Sequence, residues 1–367
     1  MSEIRPQRGL DDIRPYVPGK PIEEVQREYG LQDVVKLASN ENPLGPSPKA
    51  LAALEKTLRE VHLYPDGQGY YLRQAIADHL GVTLEQVIIG NGADGVIVQT
   101  CLAYLDDGDE VIVGRSSFPV YDIYTHVMRA QLVKVPLKEY RLDLEGMAEA
   151  ITERTKIVFV CNPNNPTGTI VTQGEVESFM AEVPEHILVI FDEAYYEFVD
   201  SPEYPDTLRY VREGRRNVMV MRTFSKIYGL AGLRLGYAVA HSDTLAPLWR
   251  VKEPFAVNRL AQIAGIAALE DEEFVRRSVE ANREGRRYLY RQFERLGLFY
   301  VESHTNFVLV RIGPEAREVA ERLLRRGVIV RPCTGYDLPE FLRITVGSPD
   351  QNARLIDALE EALAEVR

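Results

Sequence analysis

Seven short apolar runs recur between residues 86 and 240: QVIIG, DEVIVG, AQLVKVP, KIVFVC, ILVIFD, NVMVMR and RLGYAVA. Several are apolar at every position rather than every second one, which is how a strand covered on both faces reads. The segments between them, such as GVIVQTCLAYL and EVESFMAEV, have the length and spacing of helices. Strands and helices in alternation predict an α/β fold with a mostly parallel seven-stranded sheet. After about residue 250 the texture changes to a long, charge-rich helical stretch followed by TNFVLVRI, GVIVRP and FLRITVG, predicting a second, smaller α/β domain. The expected organisation is an arm over 1–45, where Pro, Gly and Asn are dense, a large domain over 46–250 and a small domain over 251–367.

Charge narrows the function. With 55 acidic against 43 basic residues and a formal net charge of -12, attraction to phosphate backbones cannot supply the main binding energy, so nucleic acid is not an expected partner. The N-terminus lacks the apolar stretch of a secretion signal, and no apolar run approaches the ~20 residues of a membrane span. A cytoplasmic protein is expected. Cys101, Cys161 and Cys333 lie far apart, which suits reduced thiols, and the six histidines show no HExxH spacing, so no metal site is expected. Residues 276–295 carry seven arginines interleaved with Glu280, Glu284 and Glu294, the pattern of a solvated, salt-bridged helix face.

Ligands of open parallel sheets bind beyond the carboxyl ends of the strands, and several of these ends are chemically unusual. IIGNGADG (88–95) offers helix-N-terminal amides to an anion. A dinucleotide fingerprint would also need an acid after the next strand, where Arg115, Ser116 and Ser117 stand. ILVIFDEAYYEF ends a run with Asp192 and continues to Tyr195; the chain's one Gly-Lys pair precedes a proline, so no nucleotide-hydrolase phosphate loop accompanies it. A carboxylate in such surroundings needs a cation or strong donors, and a protonated pyridine nitrogen would serve. CNPNNPTG (161–168) is a turn rich in side-chain amides, and Phe118 in RSSFPVY offers a flat face. Lys226, in TFSKIYGLAGLRLG, follows another run directly. A lysine desolvated near a second cation, here Arg234, has a depressed pKa and becomes a nucleophile toward carbonyl carbons. Taken singly, each feature also has an ordinary reading: a turn, a capping acid, a core aromatic, a lysine reaching water.

Together they describe a pyridoxal 5'-phosphate site. The order of NPTG, DEAY and the Ser225-Lys226 pair with Arg234 resembles that of the fold-type I aminotransferases, over essentially the whole chain. RPYVPGKP (14–21), LASNENPLGPSP (37–48), YPDGQG (64–69), GNGAD (90–94), CNPNNPTG, FDEAYYEF, RTFSKIYGLAGLRLGY and LRITVG are similar to segments of the histidinol-phosphate aminotransferases within that superfamily. The resemblance implies exchange of an amino group between L-histidinol phosphate and 2-oxoglutarate, giving imidazole-acetol phosphate and L-glutamate in histidine biosynthesis. Lys226 would hold the cofactor and serve as general base, Asp192 would pair with the pyridine nitrogen, and Tyr195 and Asn165 would contact the ring hydroxyl. Ala93, Asp94, Ser225 and Arg234 would bind the phosphate, Phe118 would stack on the ring, and Tyr64 would reach the phosphate from a neighbouring subunit of a homodimer, against which the arm would also pack. Arg343, with Arg331, Asn165 and Tyr16, would bind the substrate. The sequence departs from the family pattern at Phe118, where tyrosine is common, and at Gly95, where an acid is common. An aromatic aminotransferase or a phospho-amino-acid decarboxylase on the same scaffold, a nucleotide-binding dehydrogenase and a non-catalytic binding protein are the competing readings.

Overall fold

The computed structural model describes residues 19–366 and, before them, residues 4, 6–11, 13 and 15. The seven apolar runs form the strands of one sheet: β1 (Val87–Asn91), β2 (Glu110–Gly114), β3 (Gln131–Val135), β4 (Thr155–Cys161), β5 (Leu188–Asp192), β6 (Val218–Thr223) and β7 (Leu235–Ala240). Their order is β1-β7-β6-β5-β4-β2-β3. Only β7 runs antiparallel to its neighbours. The unbroken apolar character has the expected cause, because alternate residues feed two cores: Val189 and Phe191 of β5 enter one, Leu188 and Ile190 the other. Helices α1 (Gly92–Tyr104) and α2 (Val120–Val127) give Val96, Ile97 and Tyr121 to the second core. Helix α3 (Arg259–Leu269) gives Ala261, Ala264 and Ala268 to the first.

A four-stranded antiparallel sheet follows, with β8 (Tyr300–Val301), β9 (Phe307–Arg311), β10 (Arg331–Pro332) and β11 (Phe341–Thr345) in the order β10-β11-β9-β8. Its core takes Leu289 and Phe293 from the long helix α4 (Glu272–Arg295), whereas Val275 and Val279 of the same helix pack on the first core. The N-terminal segment forms a helix at Ile22–Tyr29 and pairs Val35–Lys36 in parallel with Val328–Ile329. Arg276 and Arg295 make the exposed ion pairs expected of α4, with Glu273 and Glu360. Arg286 departs from that pattern: it is buried, donates to Asp200 at 3.0 Å and also bonds the Ser303 carbonyl. Among the described residues no helix is long and apolar enough to cross a membrane, and no cluster of His, Cys, Asp and Glu is placed to hold a metal.

Candidate active site

The carboxyl ends of β4, β5 and β6 border a cavity of about 450 Å³ that Phe118, Asn165, Asp192, Tyr195, Lys226 and Arg343 all line. Asp192, the last residue of β5, is 3% exposed. One carboxylate oxygen accepts the Tyr121 hydroxyl at 2.5 Å and the other the Ala194 N–H at 3.2 Å. Among the described residues no cation pairs with it, and burial pushes its carboxyl up to about 6 against the opposing hydrogen bond from Tyr121. Its chain neighbour Glu193 points to the opposite face of the sheet. There it accepts two N–H groups of Arg222 at 2.9 and 2.8 Å and the Thr207 hydroxyl.

Lys226 sits just past β6, with Nζ donating to the Ser39 carbonyl at 3.1 Å. Burial and, after it, the Arg343 charge lower its pKa to about 8, against the pull of Glu41 and Asp94. The second cation expected from the sequence was Arg234; it contributes in the same direction, but less than Arg343.

The N-terminus of α1 meets β7 closely. A Cβ at Gly236 would lie 2.3 Å from the Ala93 nitrogen, and one at Gly92 would lie 2.6 Å from the Arg234 guanidinium. Arg234 itself holds φ 56, a left-handed conformation that costs a non-glycine residue on the order of 1–3 kcal/mol and clusters at functional sites. It pairs with Asp94 at 3.1 Å, both side chains being 44% exposed. Ala93, Asp94, Ser225 and Arg234 all line the cavity.

Arg343 of β11, also in the cavity wall, donates to Asn165 Oδ1 at 2.6 Å, the Tyr336 hydroxyl at 3.2 Å and the Ala38 carbonyl at 2.7 Å. Of the turn's three asparagines, Asn165 alone lines the cavity. Asn162 accepts the Val171 N–H, and Asn164 donates to Ser116 and Thr167. Tyr195 accepts from Asn40 Nδ2 at 2.9 Å, and burial raises its pKa above the usual tyrosine value.

Two expected residues stand apart from this constellation. Tyr64 is 80% exposed and stacks on Phe255 at the surface. Arg331 lines a neighbouring cavity of about 760 Å³ between α2 and the small sheet. Tyr16 lies outside the described residues. The sequence reading missed Tyr121, Ser39, Asn40 and Thr345, although Tyr121 stands in the quoted RSSFPVY and Ser39 and Asn40 in LASNENP.

Pyridoxal phosphate fits what this pocket provides. Its wall brings together anion-ready groups (helix amides, Ser225, Arg234), a buried carboxylate short of a cation, an aromatic face and a primary amine of lowered pKa.

Residues 32–359 match the family of class I and II aminotransferases. The chain is 54% identical over 352 residues to the histidinol-phosphate aminotransferase of Moorella thermoacetica, covering 96% of this chain and 91% of that one. It is 51% identical over 351 residues to that of Akkermansia muciniphila, covering 95% and 96%. Among solved structures, the histidinol-phosphate aminotransferase of Sinorhizobium meliloti in complex with pyridoxal-5'-phosphate superposes with a TM-score of 0.92 at 28% identity, covering 100% of this chain and 99% of that one.

Proposed function

Because the chain belongs to the histidinol-phosphate aminotransferases of the class I and II aminotransferase family, we infer that its pocket binds pyridoxal 5'-phosphate and exchanges an amino group between L-histidinol phosphate and 2-oxoglutarate in histidine biosynthesis. The observation that carries this reading is the pair at the cavity wall: Asp192, buried without a cation, and Lys226, an amine brought to a pKa of about 8.

The cofactor supplies an aldehyde that condenses with amines and a protonated ring that takes up an electron pair. The rest falls to the chain. Asp192 would keep the pyridine nitrogen protonated, since an ion pair there would relieve the cost of its own buried charge. Tyr195 and Asn165 would meet the ring hydroxyl, and Phe118 would cover a ring face. Ala93, Asp94, Ser225 and Arg234 would take the phosphate. Lys226 would hold the group through its amine and, once that amine is free, would be the base that moves the proton from the substrate α-carbon. At a pKa of about 8, an appreciable fraction of this amine is neutral near pH 7. The guanidinium fork of Arg343 matches a carboxylate and a phosphate monoester equally, so one residue serves both glutamate and histidinol phosphate. Arg331 and Tyr16 are the further anion contacts of this reading.

A second subunit completes the site in the same reading. Tyr64 stacks on Phe255, and both are exposed, as is Leu63 beside it in the chain, a surface suited to burial against a second copy, from where it would reach the partner's phosphate end. We place the enzyme in the cytoplasm as a homodimer. The test is to follow the visible spectrum of the purified protein while histidinol phosphate and then 2-oxoglutarate are added. Loss of the cofactor band with the first and its return with the second are expected. A band indifferent to histidinol phosphate but bleached by phenylalanine would move the substrate to aromatic amino acids.

A further inference from the structure

Asn40 is 1% exposed and holds φ 57, a conformation that asparagine tolerates better than most residues and glycine best. Its hydrogen bonds have a direction. The backbone N–H of Asn40, which can only donate, goes to Thr345 Oγ1 at 2.9 Å. The Thr345 hydroxyl then gives its own hydrogen to Asn40 Oδ1 at 3.0 Å. With Oδ1 engaged, the amide presents its NH₂ to the Tyr195 oxygen at 2.9 Å, and an amide nitrogen only donates. The Tyr195 oxygen is therefore an acceptor on that side. Its own hydrogen goes to no protein group among the described residues, and Tyr195 borders the cavity.

We propose that Thr345 and Asn40 form a one-way hydrogen-bond relay that turns the Tyr195 hydroxyl hydrogen into the pocket, making Asn40 a positioning residue for the cofactor's ring oxygen. The proposal rests on the reading of the cavity as a pyridoxal phosphate site. A donor aimed at that oxygen favours its anionic form and so lowers the pKa of the bound chromophore. Thr345 and Arg343 are alternate residues of β11 and project to the same face, so the strand that carries the substrate-binding fork also sets the polarity at the ring. Asn306 Nδ2, donating to the Asn40 carbonyl at 2.9 Å, fixes the segment from a second side.

The experiment is a pH titration of the visible band of enzyme loaded with pyridoxal phosphate, together with the cofactor's dissociation constant and the melting temperature of the apoprotein. Asn40→Asp is nearly isosteric but accepts from both Thr345 and Tyr195, which reverses the last link. It should raise the chromophore pKa by about one unit or more and weaken cofactor binding several-fold, with the apoprotein still folded. Asn40→Gly suits the backbone and deletes the whole side chain, yet leaves the Tyr195 hydrogen free to face the ring, so its shift should be smaller. Thr345→Val should move the band in the same direction as Asn40→Asp, and Thr345→Ser should restore it. A larger effect for glycine than for aspartate would reduce Asn40 to a space-filling residue and overturn the relay. So would a band in Asn40→Asp and Thr345→Val that titrates as in the parent protein. A parent protein that takes up no pyridoxal phosphate would overturn the relay and the cofactor reading together.

Discussion

On one face of the central sheet, Glu193 lies against Arg222, whose guanidinium also covers the Tyr196 ring at 3.6 Å. On the other face, Asp192 meets a tyrosine hydroxyl and one backbone N–H. The two acids are adjacent in the chain and both are buried, yet one environment is closed and the other lacks a positive charge. Strand alternation alone separates them. A buried ion pair tolerates its burial because each charge compensates the other, whereas a lone buried carboxylate stays ionised only at a cost. Glu193 therefore belongs to the scaffold, and we propose Asp192 as a socket whose cation arrives with a ligand.

Substitution should separate the two roles. The largest effect is expected from Asp192→Asn, which should lower turnover by on the order of 10³-fold by removing the charge at the pyridine nitrogen, while the apoprotein melts no lower than the parent. A drop in both would make Asp192 a structural residue like its neighbour. Glu193→Gln should do the reverse: stranding Arg222 should cost about 3 to 5 kcal/mol in a denaturant titration, with turnover per folded molecule little changed.

Next in size is a pH effect. The folded-state pKa of Asp192 lies at about 6, above its ordinary 3.8. The folded apoprotein thus holds this proton more tightly than the unfolded chain, and the group's contribution to stability falls as pH rises through that window. The loss should approach ~3 kcal/mol. Melting curves of parent and Asp192→Asn apoproteins should diverge between about pH 4 and pH 6, the parent losing stability relative to the variant, and cofactor should abolish the divergence. The smallest expected change is that of Tyr121→Phe, which should weaken cofactor binding about tenfold by removing a hydrogen bond to a charged group. An unchanged affinity would mean that the Ala194 amide alone keeps the carboxylate ionised.

Much of this was legible in the linear sequence, for physical reasons. Strands covered on both faces advertise themselves as unbroken apolar runs, and the chemistry of such a sheet collects at their carboxyl ends, so Asp192 and Lys226 stood out by position. Contacts made over long sequence separations left no such trace. Tyr121 reaches Asp192 across 71 positions and Asn40 reaches Tyr195 across 155. Neither spacing carries a local periodicity. The change of texture near residue 250 shows the limit of composition: α3 lies beyond it yet packs in the large core, and we would draw the domain division within α4, which serves both cores. Arg286 looked like one more surface arginine because its burial depends on Asp200 and Ser303, distant in the chain.

The strip from Ala38 to Asn40 touches Lys226, Tyr195, Arg343 and Thr345, the last of them 305 positions away from Asn40. During synthesis at ~5–20 residues per second, the strip leaves the ribosome roughly fifteen to sixty seconds before β11 exists. On the proposed site, a nascent chain therefore lacks part of the pocket, and cofactor loading is expected to follow completion of the polypeptide. Any truncation that removes β11 leaves Asn40 without Thr345 and Ala38 without Arg343, even where the seven-stranded sheet has already folded.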